Sequence, residues 1–276
     1  MAEYVAHGGG GFDHLVALAE TVGAAVFDVH ARLNFPNRHP LNLSCHKEMF
    51  RDADLIVSLD TRDWEKSTHF IERTERRVVP YYPPHCDMIE IGFGELNLSK
   101  WSMDYTRMPA CSLRVLGDTL TAIPQLTQLC RERIAKNPRL GARIKARAKL
   151  VAAKHDALFA SWAEQAKADW DGLPITLPRL ASEIWDVIRH EDWVLAANTL
   201  QDWTYKLWDF DKPYRHSRPG AWHRHPDRHL ARGGACASRP RTPGRGYPAG
   251  RRSFVRRRRT VERRQKQHSA LGRDVQ

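Results

Sequence analysis

The chain has 276 residues, 42% apolar and 28% charged, with a formal net charge of +12. That length suits one large domain or two ordinary ones, and the absence of any run of 18 apolar residues excludes a transmembrane helix. The opening residues, MAEYVAHGGGG, lack the basic-then-apolar layout of a secretory signal. The charge is unevenly spread. Residues 216–276 hold 17 of the 44 Lys+Arg beside three acids, a net +14, whereas residues 1–215 carry −2. Five cysteines (Cys45, Cys86, Cys111, Cys130, Cys236) form no CxxC pair. This points to a reducing, cytoplasmic setting rather than a disulfide framework or a structural zinc site. Cys45 and His46 are adjacent, a poor geometry for joint metal ligation, and are read as ordinary loop or core residues.

In chain order, Phe12, Leu15, Val16, Leu18 and Ala19 space a short amphipathic helix over 12–21, closed by Gly23. Four apolar runs follow, at 24–29, 54–59, 88–91 and 112–116, each read as a buried strand. Asp118 or Thr119 can cap a helix from about 119 to 135. Strands apolar throughout, alternating with helical stretches, predict an open parallel α/β sheet of Rossmann-like architecture over 1–136. Asn137-Pro138 and Gly141 interrupt the pattern. Ile144, Ala148, Val151, Leu158 and Trp162 then mark the stripe of a long helix, which with its linker occupies 137–176. Its basic residues, Lys145, Arg147, Lys149 and Lys154, are read as a solvated face rather than a nucleic-acid contact. A fresh helix at 179–188 and strand at 193–197 begin a second, incomplete α/β unit over 177–215.

Several motifs are weighed and set aside. Gly8–Gly11 resembles a phosphate loop, but only a seven-residue stub precedes it and no Lys-Ser/Thr follows, so a turn is expected. Ser44 with His39 or His46 lacks the nucleophile elbow of a hydrolase. Trp185, Trp193, Trp203 and Trp208 could stack bases, yet tryptophans this dense beside apolar runs are expected in a core. The Asn- and Pro-rich segment 31–43, ARLNFPNRHPLNL, is more specific. It follows a buried strand, and in open α/β sheets ligands sit beyond the carboxyl ends of strands.

The combination LAETVGAAVFDVHARLNFPNRHPLN…DADLIVSLDTRDW closely resembles the central domain of thiamine-diphosphate-dependent enzymes of the acetolactate synthase and benzoylformate decarboxylase type. The resemblance runs over about 11–125 and resumes over 177–215, which resembles the start of the family's cofactor-binding domain. It implies decarboxylation or carboligation of a 2-oxo acid, with thiamine diphosphate and Mg²⁺ as cofactors and FAD in some members. In that family an N-terminal domain supplies an activating glutamate, and a Gly-Asp-Gly…Asn motif of the C-terminal domain holds the metal and diphosphate. The central domain is mainly structural. The resemblance places Asn198, Thr199 and Gln201 where loop contacts to the diphosphate would fall, beside the plain reading of polar loop residues. It leaves the chain without the first domain and the metal motif, hence a fragment inactive alone, with no catalytic residue assigned. It also implies homo-oligomers, or completion by a separate chain carrying the missing domains.

The tail, 216–276, is expected to be disordered: 217–276 contains no Ile and no Met while Arg abounds, too little apolar surface to offset the entropy of ordering. Back-translation of 246–276 with free codon choice, read after dropping one nucleotide, yields a string with Asp-Gly-Asp followed by apolar Leu-Val-Val-Met-Phe. The same offset turns 223–233 into Thr-Ala-Thr-Gln-Ile-Gly-Ile-Ser-Leu-Gly. The tail is therefore expected to be an out-of-frame reading of a cofactor domain. The competing reading makes Arg251–Arg264 a nucleic-acid arm with unspecific, salt-dependent affinity for polyanions. Sequencing the coding locus separates the two. A one-nucleotide shift that restores a diphosphate-binding domain is the expected result; a frame in register to a natural stop, with close relatives ending in the same basic stretch, would sink it.

Overall fold

Apolar side chains alternating between two faces of a parallel sheet organise the molecule. A computed structural model of the chain describes residues 1–2, 5, 10–29, 33–61, 63–75, 77–93, 110–195, 200 and 202–216. Three strands, β1 (Leu55–Leu59), β4 (Asp87–Gly92) and β5 (Leu113–Leu116), lie in the order β1-β4-β5, all parallel. Ile56 pairs with Met88, and Ile89 with Leu113. Single parallel bridges extend the sheet past β1: Ala2 lies between Leu59 and Asp28, and Val26 beside Asn42. Across the sheet the segments thus run Asn42, Val26–Asp28, Ala2, β1, β4, β5. In chain order this is 3-2-1-4-5-6, the order of doubly wound sheets, with its reversal between Ala2 and β1.

The predicted run at 24–29 is therefore present as two bridge points rather than a ladder. Its partners on either side, Ala2 and Asn42, each contribute one bridging residue. The backbone bonds that hold it are Val26 N–H to Leu41, Leu43 N–H to Val26, Ala2 N–H to Phe27 and Val29 N–H to Ala2, at 2.8–3.0 Å.

Period-two alternation divides the core. Val26, Leu59 and the partly buried Val57 and Ile91 pack with Leu15, Leu18, Phe35, Ile123 and Val151 on one face. Phe27, Ile56 and Met88 meet Phe50 on the other, under Tyr81 and Tyr82. The first face is covered by α1 (Gly11–Val22), α3 (Thr119–Ala135) and α4 (Pro138–Lys167). Gly23 ends α1 at φ 60°, and a Cβ there would lie 2.7 Å from the Ile144 carbonyl oxygen. Only glycine permits both the left-handed cap and the close approach of α4.

Asp118 caps α3 by accepting from Thr121 N at 3.2 Å, and Asn137 caps α4 by accepting from Leu140 N at 3.4 Å with Pro138 in the first turn. Asn137-Pro138 is thus a helix start, and Gly141 lies inside α4 rather than ahead of it. Proline's fixed φ and missing N–H suit the first helical position, which is why the pair opens a helix. Between β1 and β4 lie three elements that the hydrophobic pattern does not announce: α2 (Trp64–Thr68) and an antiparallel hairpin, β2 (His69–Glu72) and β3 (Arg77–Pro80). Glu72 shapes the hairpin's turn by accepting from Glu75 N at 2.6 Å and Thr74 N at 3.1 Å. Those bonds, Glu75 first, hold the Glu72 carboxyl below its usual range.

The last part is an aromatic cluster. In α5 (Leu177–Ile188) Ala181 is buried, and α6 (Trp203–Leu207) carries the buried Tyr205. Trp193, Leu195, Trp208 and Phe210 complete the cluster with Phe12 and Leu33. Leu195 forms a single parallel bridge to His216, so the strand expected at 193–197 is represented by one bridge among the described residues. No helix of the described residues is long and apolar enough to cross a membrane.

Buried imidazoles couple this packing to pH. His155 on α4 donates from Nδ1 to the Asn42 carbonyl at 2.7 Å and packs against Phe159. Burial, the largest cause, lowers its pKa from the ordinary 6.5, and burial does the same at His46 and His216. A depressed folded pKa means the unfolded chain binds protons first. The stability is fully present above about 6.5 and is lost as pH falls through the lower folded values. Urea midpoints measured from about pH 7.5 to about 5.5 should therefore fall, and fall less steeply in His155→Gln; an equal slope in that variant would contradict the assignment.

Candidate functional site

The loops beyond the carboxyl ends of the strands are the natural place for a site in this sheet. In the described part of these loops, Asp28, Asn34, Asn37 and Asn42 are turned inward. Asp28, 1% exposed, accepts at Oδ2 from Asn34 N (2.7 Å) and Phe35 N (3.2 Å), and at Oδ1 from Asn34 Nδ2 (2.8 Å). Its own N–H donates to Ser44 Oγ at 2.8 Å, and Ser44 N donates to Asn42 Oδ1 at 2.8 Å. Asn42 Nδ2 reaches the Pro36 carbonyl at 3.0 Å. The Asn-Phe-Pro-Asn turn is wound around one carboxylate.

Asn37 extends this lattice to the end of the described chain. Its Nδ2 donates to the carbonyls of Tyr205 and Trp208, both at 2.7 Å, and its Oδ1 accepts from Phe210 N at 2.8 Å. Arg38 donates to the Leu207 carbonyl at 2.6 Å with its guanidinium 4.5 Å from the centre of the Phe159 ring. The polar residues of 34–42 are thus occupied by backbone groups and join the sheet to α6.

The other prominent carboxylate is Asp60, at the end of β1 with φ 46°. It accepts from Phe93 N at 2.8 Å and from the Thr119 hydroxyl, linking β1 to the end of β4 and to the first residue of α3. A Cβ on Gly92, at φ 145°, would collide with Asp60 Oδ1. Glycine is required at that point because the carboxylate fills the space.

Candidates for nucleophilic or metal chemistry are not assembled. Cys45 sits at φ 63° in contact with the aromatic cluster. Burial, then the Asp202 charge, pushes its thiol up to about 12. A thiol so far above its ordinary value is a poor nucleophile and metal ligand. The Ser44 hydroxyl accepts from the backbone, while the His39 nitrogens face Leu41 N at 3.1 Å and Glu20 at 3.3 Å. Gly10 caps α1 at φ 90°, and a Cβ on Gly11 would collide with the Val5 carbonyl oxygen; residues 8 and 9 lie outside the described residues. Trp193 and Trp208 are 1% and 3% exposed and pack edge-to-face at 5.4 Å, a core arrangement rather than a base-stacking platform. Beneath the hairpin a second buried polar group gathers: His69 lies 3.8 Å from the Glu65 carboxylate, with the Thr68 hydroxyl at 3.0 Å.

The residues assigned to diphosphate contact, Asn198, Thr199 and Gln201, lie outside the described residues. Leu195 and Leu200, on either side of the first two, are buried in the aromatic cluster. Among the described residues no group of three or more His, Cys, Asp or Glu could hold a metal ion. At the sheet's reversal the buried groups presented are Asp28 and Asp60, both engaged by donors of the fold and both repulsive to a phosphate. The described residues therefore do not fit Mg²⁺, a diphosphate or a dinucleotide.

No family model and no curated protein sequence matches the chain. One solved structure, an X-ray structure of a Mycobacterium smegmatis protein described as a thiamin diphosphate-dependent enzyme, is similar over 46% of this chain at 20% identity and a TM-score of 0.32. The chain spans 24% of that protein, and a likeness of that size carries no weight for activity.

The lattice makes Asn37 the sharpest test of this region. Asn37→Ala leaves two buried carbonyls and one N–H without partners, for a loss of roughly 2–4 kcal/mol. Urea unfolding should show it, with the Trp193–Trp208 fluorescence changing in step; a loss under about 0.5 kcal/mol would mean that water replaces the amide freely.

Proposed function

We propose that this chain carries the central, scaffolding domain of a thiamine-diphosphate-dependent 2-oxo acid decarboxylase or carboligase, together with the beginning of its cofactor domain. The observation that carries the reading is the segment 31–60, whose residues resemble that family's central domain and whose polar side chains serve the fold. Asp28, Asn34, Asn37 and Asn42 hold backbone to backbone, and none is free to meet a substrate. A scaffold needs such inward-turned side chains, because it must hold loops from neighbouring domains in place.

When bound, thiamine diphosphate supplies the electron sink for the chemistry of the 2-oxo acid. Asn198, Thr199 and Gln201 are the residues of this chain proposed to touch its diphosphate; Mg²⁺, the activating glutamate and any FAD site are assigned to parts beyond the described residues. The proposed partners are a second copy of the chain or a separate chain that contributes the missing domains.

The purified chain should not decarboxylate pyruvate or benzoylformate with thiamine diphosphate and Mg²⁺ present. Titration calorimetry with the cofactor should give no saturable heat. Turnover by the pure chain would refute the fragment reading. Recovery of turnover on adding a chain with the missing domains, but not with Asn37→Ala, would support the scaffold role.

A further inference from the structure

We propose that the exposed face of the α3–α4 hairpin docks the phosphate backbone of double-stranded nucleic acid, through residues distinct from the basic tail. The inference stands apart from the proposed function, replaces the solvated-face reading of Lys145, Arg147 and Lys149, and rests on where charge is concentrated in the folded part. Residues 131–149 hold eight cations and one acid, a net +7, while the rest of residues 1–215 carries 19 cations and 28 acids, a net −9. A chain acidic elsewhere has gathered its surplus cations on one helical turn-back.

The eight are Arg131, Arg133, Lys136, Arg139, Arg143, Lys145, Arg147 and Lys149, and all are exposed. Arg147 is tied to the fold, donating to the Gly23 carbonyl at 3.1 Å and to that of Val22. Among the described residues none of the eight pairs with a carboxylate, whereas farther along α4 Lys154 pairs with Asp52 at 2.6 Å. Helical periodicity sets Arg139 and Arg143 on one flank of α4 and Lys145 and Lys149 on the other. The exposed Ala142 and Ala146 lie between them. Residues four apart rise about 6 Å along the helix, so two cationic rails border a shallow, small-residue floor against which a sugar-phosphate chain can lie.

Two features select the ligand. The apolar stripe of α4 is covered, with Ile144 and Ala148 against Gly23 and Val151 buried; Leu129 and Leu150, each 59% exposed, are isolated on α3 and α4 and do not make the broad apolar face a bilayer needs. Residues 131–150 contain no aromatic side chain on which unpaired bases could stack. A phosphate array held without bases is what a duplex presents, and the arginines suit bidentate phosphate contacts.

The test uses the full chain and a short fluorescent duplex, with anisotropy read across a salt series. In one variant Arg139, Arg143, Lys145 and Lys149 are all changed to Gln; in the other Arg256, Arg257, Arg258 and Arg259 are. The hairpin variant should keep its circular dichroism and lose about 3.6 from the magnitude of the log K against log salt slope, at about 0.9 for each of four phosphate contacts. Duplex should also slow acetylation of Lys145 and Lys149 in the unaltered chain, a readout that needs no variant. The proposal is overturned if the hairpin variant binds duplex like the parent while the tail variant alone loses the slope. It is equally overturned if the hairpin changes abolish binding to phosphatidylserine vesicles and leave duplex binding intact.

Discussion

A carboxylate at 1% exposure is tolerable in a protein interior only if donors surround it, and Asp28 is where this molecule meets that condition. It sits at the end of the segment that bridges Ala2 and Asn42, so its donors must come from the chain that follows. Asn34 and Phe35 supply them from the backbone, and Asn34 adds its side-chain amide. Satisfying one charge thus fixes Asn34 and Phe35 against the end of that segment. Phe35 is driven into the core beneath α1, and Asn37 is set facing α6. The chain after Ser44 then turns toward the aromatic cluster, where Cys45 lies.

The same constraint governs the far side of the sheet's reversal. Asp60 is engaged by Phe93 and Thr119, and Gly92 has no side chain because that carboxylate occupies its space. Both buried acids, placed where acid–base groups would be sought, are joints. Among the described residues at the carboxyl ends of the parallel strands, ordinarily the place for a ligand, the two carboxylates are engaged by the fold. Asp28 and Asp60 are answered by N–H and hydroxyl groups, whereas the buried Glu90 of β4 pairs with Arg114 at 2.9 Å.

The limits of α1 and α3 were legible because their signals are local, whereas Asn137-Pro138 read as a break although it opens α4, and α2 carried no signal. Asp118, Asn137 with Pro138, and Gly23 each mark a helix end through their own backbone and side-chain chemistry. The apolar runs at 54–59 and 88–91 became β1 and β4, whereas the run at 112–116, expected to be buried, became β5 at the end of the described sheet with all four of its residues exposed. The hairpin of β2 and β3 was hidden because HFIERTERRVVP alternates charge with β-branched residues and offers no Gly or Pro turn; Glu72 makes the turn with its own carboxylate. The site was legible only as a place. Segment 31–43 stood out by its Asn and Pro content, but nothing local to it announces that Asn37 will meet Tyr205, 168 residues away.

What the sequence by itself determined is the class of fold, the boundaries of α1 and α3, the lack of a helix apolar enough to cross a membrane and the division of charge between body and tail. These follow from periodicity, composition and capping, which act over a few residues. Tertiary structure alone decided that the Asn-rich turn is a clamp rather than a ligand loop, that Cys45 is muted, and that Asp28 and Asp60 are joints. The Asn37 clamp and the Asp60 joint depend on partners far along the chain, Asp28 on donors six and seven residues on, and Cys45 on burial. Burial makes that pairing obligatory, and only the folded arrangement supplies the partner.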